Sequence, residues 1–163
     1  MTDIKVEPLL DQMAEACRSL LAGEAALVVG IHTGGVWVAE ALARRLGLSS
    51  GQLDVSFHRD DILKSGLPQQ TAVTQLPVTI DGRTILLVDD VLHTGRTIRA
   101  ALDELYDYGR PARVVLAVLL DRGGYELPIR ADIIGQPLAL AAGQSAKLIG
   151  PDPLSIEIRE ADA

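Results

Sequence analysis

Between Glu7 and Ala22, the apolar residues Leu9, Met13, Cys17, Leu20 and Leu21 recur at helical spacing, and Gly23 follows them. That spacing predicts an amphipathic opening helix that stops at the glycine. Ala26-Leu27-Val28-Val29-Gly30-Ile31 is a short unbroken apolar run, the pattern of a strand covered on both faces. A Gly-containing loop comes next. A second helix is predicted from about Gly35 to Leu46, with Val36, Ala39, Leu42, Ala43 and Leu46 on one face and Gly47 as its stop.

Leu53, Val55 and Phe57 alternate with Asp54, Ser56 and His58, which predicts a half-exposed strand. The polar, proline-containing stretch from Arg59 to about Gln75 is too long for a turn and reads as a lid-like loop. Leu76 to Ile80, the dipeptide Asp81-Gly82 and Arg83 to Val88 predict a hairpin feeding a buried strand that ends at Asp89. A helix from about Arg96 to Tyr108 turns Ile98, Leu102 and Leu105 inward and stops at Gly109-Arg110-Pro111; Val114 to Leu120 is the next apolar strand.

Strands alternating with helices predict an α/β fold, with a mainly parallel sheet and helices on both faces. Ligands of such sheets bind beyond the carboxyl ends of the strands. Three loops fall there: Ile31-His32-Thr33-Gly34-Gly35, Asp89 to Thr97, and Asp121-Arg122-Gly123-Gly124.

Composition narrows the class. With 163 residues, 48% of them hydrophobic, the chain fits one domain over 1–163 with a sizeable core. Its only cysteine, Cys17, has no internal disulfide partner and lies on the apolar side of the first helix, as a reduced cytoplasmic thiol would. No run approaches the roughly 18 apolar residues of a membrane span, and Met1 to Lys5 begin no secretory apolar segment, so a cytoplasmic protein without membrane attachment is expected. A net charge of −7 argues against a surface that coats nucleic acid, and five aromatic side chains (one Trp, one Phe, three Tyr) are too few for a base-stacking platform. His32, His58 and His93 share no metal-ligand spacing and read as loop or surface histidines.

The densest chemistry lies in Ile85-Leu86-Leu87-Val88-Asp89-Asp90-Val91-Leu92-His93-Thr94-Gly95-Arg96-Thr97. Adjacent carboxylates leaving a buried strand are costly unless a cation or several hydroxyl donors meet them. Thr94-Gly95-Arg96-Thr97 then opens a helix, where hydroxyls, a permissive glycine and free amides at the positive dipole end form an anion cradle. Carboxylates for sugar hydroxyls beside a cradle for phosphate describe a site for a ribose 5-phosphate. The stretch lacks the Gly-Lys-Ser/Thr of a P-loop and the glycine spacing of the dinucleotide fingerprint.

This run resembles the 5-phosphoribosyl diphosphate (PRPP) motif of type I phosphoribosyltransferases at every position. From about Gly30 to Glu157 the chain also resembles the PyrR family, pyrimidine-operon regulators that are also uracil phosphoribosyltransferases. The matching stretches are Gly30 to Gly35, Asp54 to Asp61, Asp89 to Ala101, Gly109-Arg110-Pro111, Leu119 to Gly123 and Glu126 to Gly135. The resemblance implies a type I phosphoribosyltransferase fold with a small hood from about 121–163 and a mobile loop. It implies conversion of uracil and PRPP to UMP and diphosphate. Asp89 and Asp90 would face the ribose hydroxyls and share Mg²⁺ with substrate oxygens. Thr94, Gly95, Arg96 and Thr97 would hold the 5-phosphate, and His32, Thr33, Gly34 and Gly35 the diphosphate. Arg59 would bring a guanidinium to the diphosphate when the loop closes. Asp121, Arg122, Ile133, Ile134 and Gly135 would shape the base site, with Arg130 pairing to an acidic neighbour as the structural option.

The sequence departs from the better-known Gram-positive regulators where His32 and Gly34 stand in place of basic residues, and in a 136–163 segment with only Lys147 and Arg159 as cations. Phosphate contacts supply much of RNA affinity, so these losses favour an enzyme or nucleotide sensor over an RNA-binding attenuator. A purine phosphoribosyltransferase shares the phosphate loop but not the Glu126–Gly135 stretch. The family implies a homo-oligomer, for which the opening helix and the apolar Pro137–Ala142 stretch offer surfaces.

Overall fold

The computed structural model describes residues 3–56 and 73–160. Helix α1, Val6–Leu21, leads into strand β1, Leu27–Ile31; helix α2, Gly34–Leu46, returns to strand β2, Ser50–Leu53. After residue 73 come β3, Thr84–Leu92; helix α3, Arg96–Tyr106; β4, Arg113–Asp121; and β5, Ile133–Pro137. A final pair of strands, β6 (Gln144–Ile149) and β7 (Ser155–Glu160), forms a separate antiparallel sheet.

The five main strands lie in the order β2-β1-β3-β4-β5, every neighbouring pair parallel. From β1 the chain moves outward one way to β2, and from β3 it moves the other way to β4 and β5. The loops after β1 and β3 therefore diverge from adjacent strands, which opens a crevice at the switch point. Two apolar clusters fill the faces. Leu10, Met13 and Cys17 of α1 join Val38 and Leu42 of α2 over Val28, Leu86 and Leu119 on one side. Ile98, Ala101 and Leu105 of α3 cover Val29, Leu87 and Val118 on the other. Residues alternate between these clusters along each strand, as a two-residue period requires. Arg45 of α2 ties the two helices on its face together, donating to Asp11 at 2.9 Å and Glu7 at 2.5 Å.

Three local expectations change. The hairpin before β3 does not form, because β3 is flanked by β1 and β4 and has no edge left for Leu76–Ile80. The Asp81-Gly82 turn is present, with Arg83 N donating to Ile80 O at 3.1 Å, but it docks on the α3–β4 connection: Gly82 N donates to Arg110 O at 2.9 Å. Of the strand expected from Leu53 to Phe57, Leu53 closes β2 and Asp54 to Ser56 lie beyond it, since β1 ends at Ile31, the partner of Leu53; Phe57 lies outside the described residues. β3 does not stop at Asp89 but continues to Leu92, with Asp89 opposite Val118 and Leu92 opposite Asp121.

Candidate active site

The site begins with a close approach between the first two loops at the switch point. A Cβ on Gly34 would lie 2.2 Å from Asp90 Oδ2, and one on Gly35 would lie 2.7 Å from Val88 O and 3.1 Å from Asp89 Cα. With no side chain at either position, the start of α2 settles directly against the carboxylate pair. The peptide between His32 and Thr33 is cis, and His32 N donates to Leu53 O at 3.0 Å, which ties the loop to the end of β2. His32, Thr33, Gly34, Gly35, Asp89 and Asp90 are thus gathered at one place. His32 Nε2 is buried without a hydrogen-bond partner among the described residues.

Asp89 is buried inside the strand ladder, and its Oδ1 accepts from Asp90 N at 2.8 Å. Burial, and secondly the charge of Asp90 beside it, push its carboxyl well above the usual carboxylate range. Asp90 is half-buried, with Oδ1 accepting from Val91 N at 2.8 Å. The chemistry of this pair fits Mg²⁺, a hard ion that takes one or two carboxylates and completes its shell with phosphate oxygens and water. Among the described residues no group of three His, Cys, Asp or Glu side chains forms a protein-only metal cage. Asp89 and Asp90 are therefore the residues that would hold the ion, together with oxygens of a bound substrate.

Beyond Leu92 the chain turns at Gly95, φ +94°, into α3. Thr94 Oγ1 accepts from Arg96 N at 3.1 Å, and Thr97 is exposed at the helix start. Thr94, Gly95, Arg96 and Thr97 thus present backbone amides and hydroxyls at the end of the strand that carries Asp90, as an anion cradle requires. Residues 122–127 wrap over this loop. Arg122 N donates to Leu92 O at 3.0 Å, Glu126 N to Thr94 O at 2.9 Å, and Arg96 Nε to Glu126 Oε1 at 3.0 Å. Gly95 lies beneath Leu127 and Ile129, whose Cβ atoms would stand 3.4 and 3.3 Å from a Cβ there.

The expected base-site residues lie on β4, on the turn after it and on β5. Asp121 ends β4 and is occupied in shaping a turn: Oδ1 accepts from Gly123 N at 3.0 Å and Oδ2 from the Tyr125 hydroxyl. Arg122 reaches away to the C-terminal sheet, donating to Gln144 O at 3.4 Å. Ile133 and Gly135 belong to β5, the outer strand of the main sheet. Ile133 is buried in the cluster beneath α1, and a Cβ on Gly135 would meet Leu119 O at 2.5 Å and Met13 Sδ at 3.1 Å. Ile134, one step along the pleat, faces the opposite cluster with Tyr125 and Ile129. Arg130 takes no acidic partner among the described residues. Its guanidinium stacks 3.7 Å from the Tyr125 ring centroid and donates to Ile129 O at 2.9 Å. Arg59, with the lid expected around it, and His58 lie outside the described residues.

Two participants were not expected from sequence. Tyr125 holds Asp121, and His93 Nδ1 lies 2.7 Å from Gly123 O. The position of His93 inside the motif, between the carboxylates and Thr94, was the available signal.

Paired carboxylates, an abutting glycine loop and an anion cradle at the switch point of a parallel sheet define a phosphoribosyl-handling site. A family model described as phosphoribosyl transferase domain matches residues 5–139. The chain is 55% identical over 154 residues to the bifunctional protein PyrR of Pseudomonas aeruginosa strain LESB58, covering 91% of each chain. It is 52% identical over 139 residues to the bifunctional protein PyrR of Nitrosococcus oceani, covering 83% of this chain and 78% of that one. The fold is shared with a hypoxanthine-guanine phosphoribosyltransferase of Bacillus anthracis at TM-score 0.67 and 18% identity, over 85% of this chain and 84% of that one. The chain belongs to the phosphoribosyl transferase domain family and, within it, to the PyrR proteins.

Proposed function

We propose that the chain transfers the 5-phosphoribosyl group of PRPP to uracil, giving UMP and diphosphate. The observation that carries this reading is the packing of Gly34 and Gly35 directly on Asp90 and Asp89, one strand-end from the Thr94–Thr97 cradle. That arrangement supports a single site for a diphosphate, two ribose hydroxyls and a 5-phosphate.

In this reading Thr94, Gly95, Arg96 and Thr97 bind the 5-phosphate through amides, hydroxyls and the helix dipole. His32, Thr33, Gly34 and Gly35 receive the diphosphate, and Asp89 and Asp90 accept hydrogen bonds from the ribose hydroxyls. Asp89 and Asp90, with substrate oxygens, would hold Mg²⁺, which would supply charge neutralisation for the departing diphosphate. One of the two carboxylates also stabilises the positive charge that develops on the ribose as the bond to diphosphate breaks. On the base side, Ile134 and the Asp121–Tyr125 turn form the wall, and the close relation to PyrR proteins supports uracil as acceptor. Arg59 is assigned to the diphosphate on the family pattern alone. The working protein is cytoplasmic and homo-oligomeric in this proposal.

A second reading, UMP-responsive binding of pyrimidine leader RNA, is favoured by the bifunctional name of the relatives. Against a broad RNA surface, several exposed arginines are paired: Arg18 with Glu15, Arg113 with Glu24 and Arg159 with Glu157. Incubation with PRPP, Mg²⁺ and each nucleobase in turn separates the readings. UMP from uracil supports the enzyme; no product with any base, together with UMP-dependent RNA retention, supports the attenuator.

A further inference from the structure

We propose that His93 is a catalytic residue, the general base that takes the N1 proton of the pyrimidine. The inference rests on the uracil reading given above.

Three observations place it. In sequence His93 lies between the carboxylate pair, Asp89 and Asp90, and the Thr94–Thr97 cradle, on the loop that would carry the ribose. In space its ring reaches the opposite wall, where Nδ1 meets Gly123 O at 2.7 Å. Gly124 lies against the same edge of the ring: a Cβ there would stand 2.8 Å from Cε1 and 3.0 Å from Nδ1, but 4.0 Å from Nε2. His93 thus bridges the loop after β3 and the turn after β4, the two surfaces that the uracil reading assigns to ribose and base, between which the new glycosidic bond would form.

The hydrogen bond also fixes the tautomer. A carbonyl oxygen can only accept, so Nδ1 carries a proton, and the neutral ring keeps its basic lone pair on Nε2. Nε2 has no hydrogen-bond partner among the described residues, and the side chain is exposed. The carbonyl that sets this state is itself held. Gly123 N donates to Asp121 Oδ1, and the Tyr125 hydroxyl donates to Asp121 Oδ2, with Arg130 stacked on the Tyr125 ring. Asp121 and Tyr125 are therefore positioning residues for His93, a use for Asp121 other than contact with the base.

In the step, the bond from ribose C1′ to diphosphate oxygen breaks with its electron pair leaving on diphosphate. Uracil N1 forms the bond to C1′, and the N1 proton moves to His93 Nε2. The resulting imidazolium keeps its Nδ1–H bond to Gly123 O and is deprotonated by water after product leaves.

The test is steady-state kinetics of the full chain and of His93→Gln with PRPP, Mg²⁺ and either uracil or 5-fluorouracil, whose N1 proton is more acidic and needs less help from a base. General-base removal predicts a fall in kcat of about 10²-fold or more with uracil, a loss at least about tenfold smaller with 5-fluorouracil, and a PRPP KM within about threefold of wild type. Equal losses with both bases, no loss with either, or a PRPP KM that rises as far as kcat falls would each overturn the proposal. If wild type forms no UMP, the uracil reading falls and this one with it; an active wild type beside an unimpaired His93→Gln overturns this one alone. His93 is exposed and Gln is a soluble polar replacement, so a thermal melt matching wild type is expected as the control.

Discussion

Gly34 sits so close under Asp90 that a single added carbon would come within 2.2 Å of Oδ2 and 2.8 Å of Cγ. The contact joins the end of β1 to the end of β3 and makes the two loops one surface. What the added carbon meets there is the tip of a side chain, which can rotate away, whereas at Gly35 it would meet Val88 O at 2.7 Å, which cannot.

The two alanine variants should therefore fail differently. Gly34→Ala is expected to keep its thermal midpoint while kcat/KM for PRPP falls about 10²-fold, because the Asp90 carboxylate is displaced by about 1 Å. Gly35→Ala is expected to lose about 1–3 kcal/mol of stability through overpacking against backbone. Thermal melts and PRPP kinetics on the pair distinguish the effects.

Asp89 is predicted to oppose folding of the ligand-free protein at neutral pH. Its folded-state carboxyl lies above the usual range, chiefly through burial and then through the charge of Asp90, so between the unfolded and folded values the native state holds a proton that the unfolded chain has already released. Stability is therefore full below the ordinary aspartate pKa of about 3.9 and declines as pH rises above it toward the folded value. Asp89→Asn should raise the melting temperature at pH 7, show a shrinking advantage as pH falls toward 4, and bind PRPP poorly. Melting curves across pH, with and without PRPP and Mg²⁺, measure all three.

Gly95 carries the turn into α3 at φ +94° beneath Leu127 and Ile129. Gly95→Ala places a side chain in a left-handed conformation and against that cover, at a cost of about 1–2 kcal/mol. The expected result is a lower melting temperature and a PRPP KM raised more than the uracil KM.

Cys17 is fully buried under α1, and burial pushes its thiol up to about 11. Native protein should therefore react negligibly with a disulfide reagent at pH 8 and fully after denaturation. A stopped-flow thiol titration reads the difference.

Much of this architecture is legible from residue patterns, because α1, β1, α2, β3, α3 and β4 each carry an unbroken apolar run or a helical period. Phosphoribosyl chemistry was legible for a different reason: two carboxylates and Thr-Gly-Arg-Thr occupy one continuous stretch, so no tertiary contact is needed to assemble them. The hairpin misled because Asp81-Gly82 signals a tight turn but says nothing about whether β3 has a free edge. That Ile133 and Gly135 join the main sheet was not legible, because the apolar run of β5 does not say which sheet it joins. Gly123 O and His93 are thirty positions apart, and no local pattern reports their contact. The β6–β7 pair was also missed, although Ile156 and Ile158 alternate with Glu157 and Arg159.

The most direct test of the account is product formation from labelled uracil, PRPP and Mg²⁺, run beside adenine, guanine and hypoxanthine and beside Asp90→Asn. The account predicts UMP and diphosphate with uracil alone, and a loss of turnover in Asp90→Asn of about 10²-fold or more, the scale of one removed electrostatic group. A purine nucleotide as the main product, or full turnover in Asp90→Asn, would contradict it.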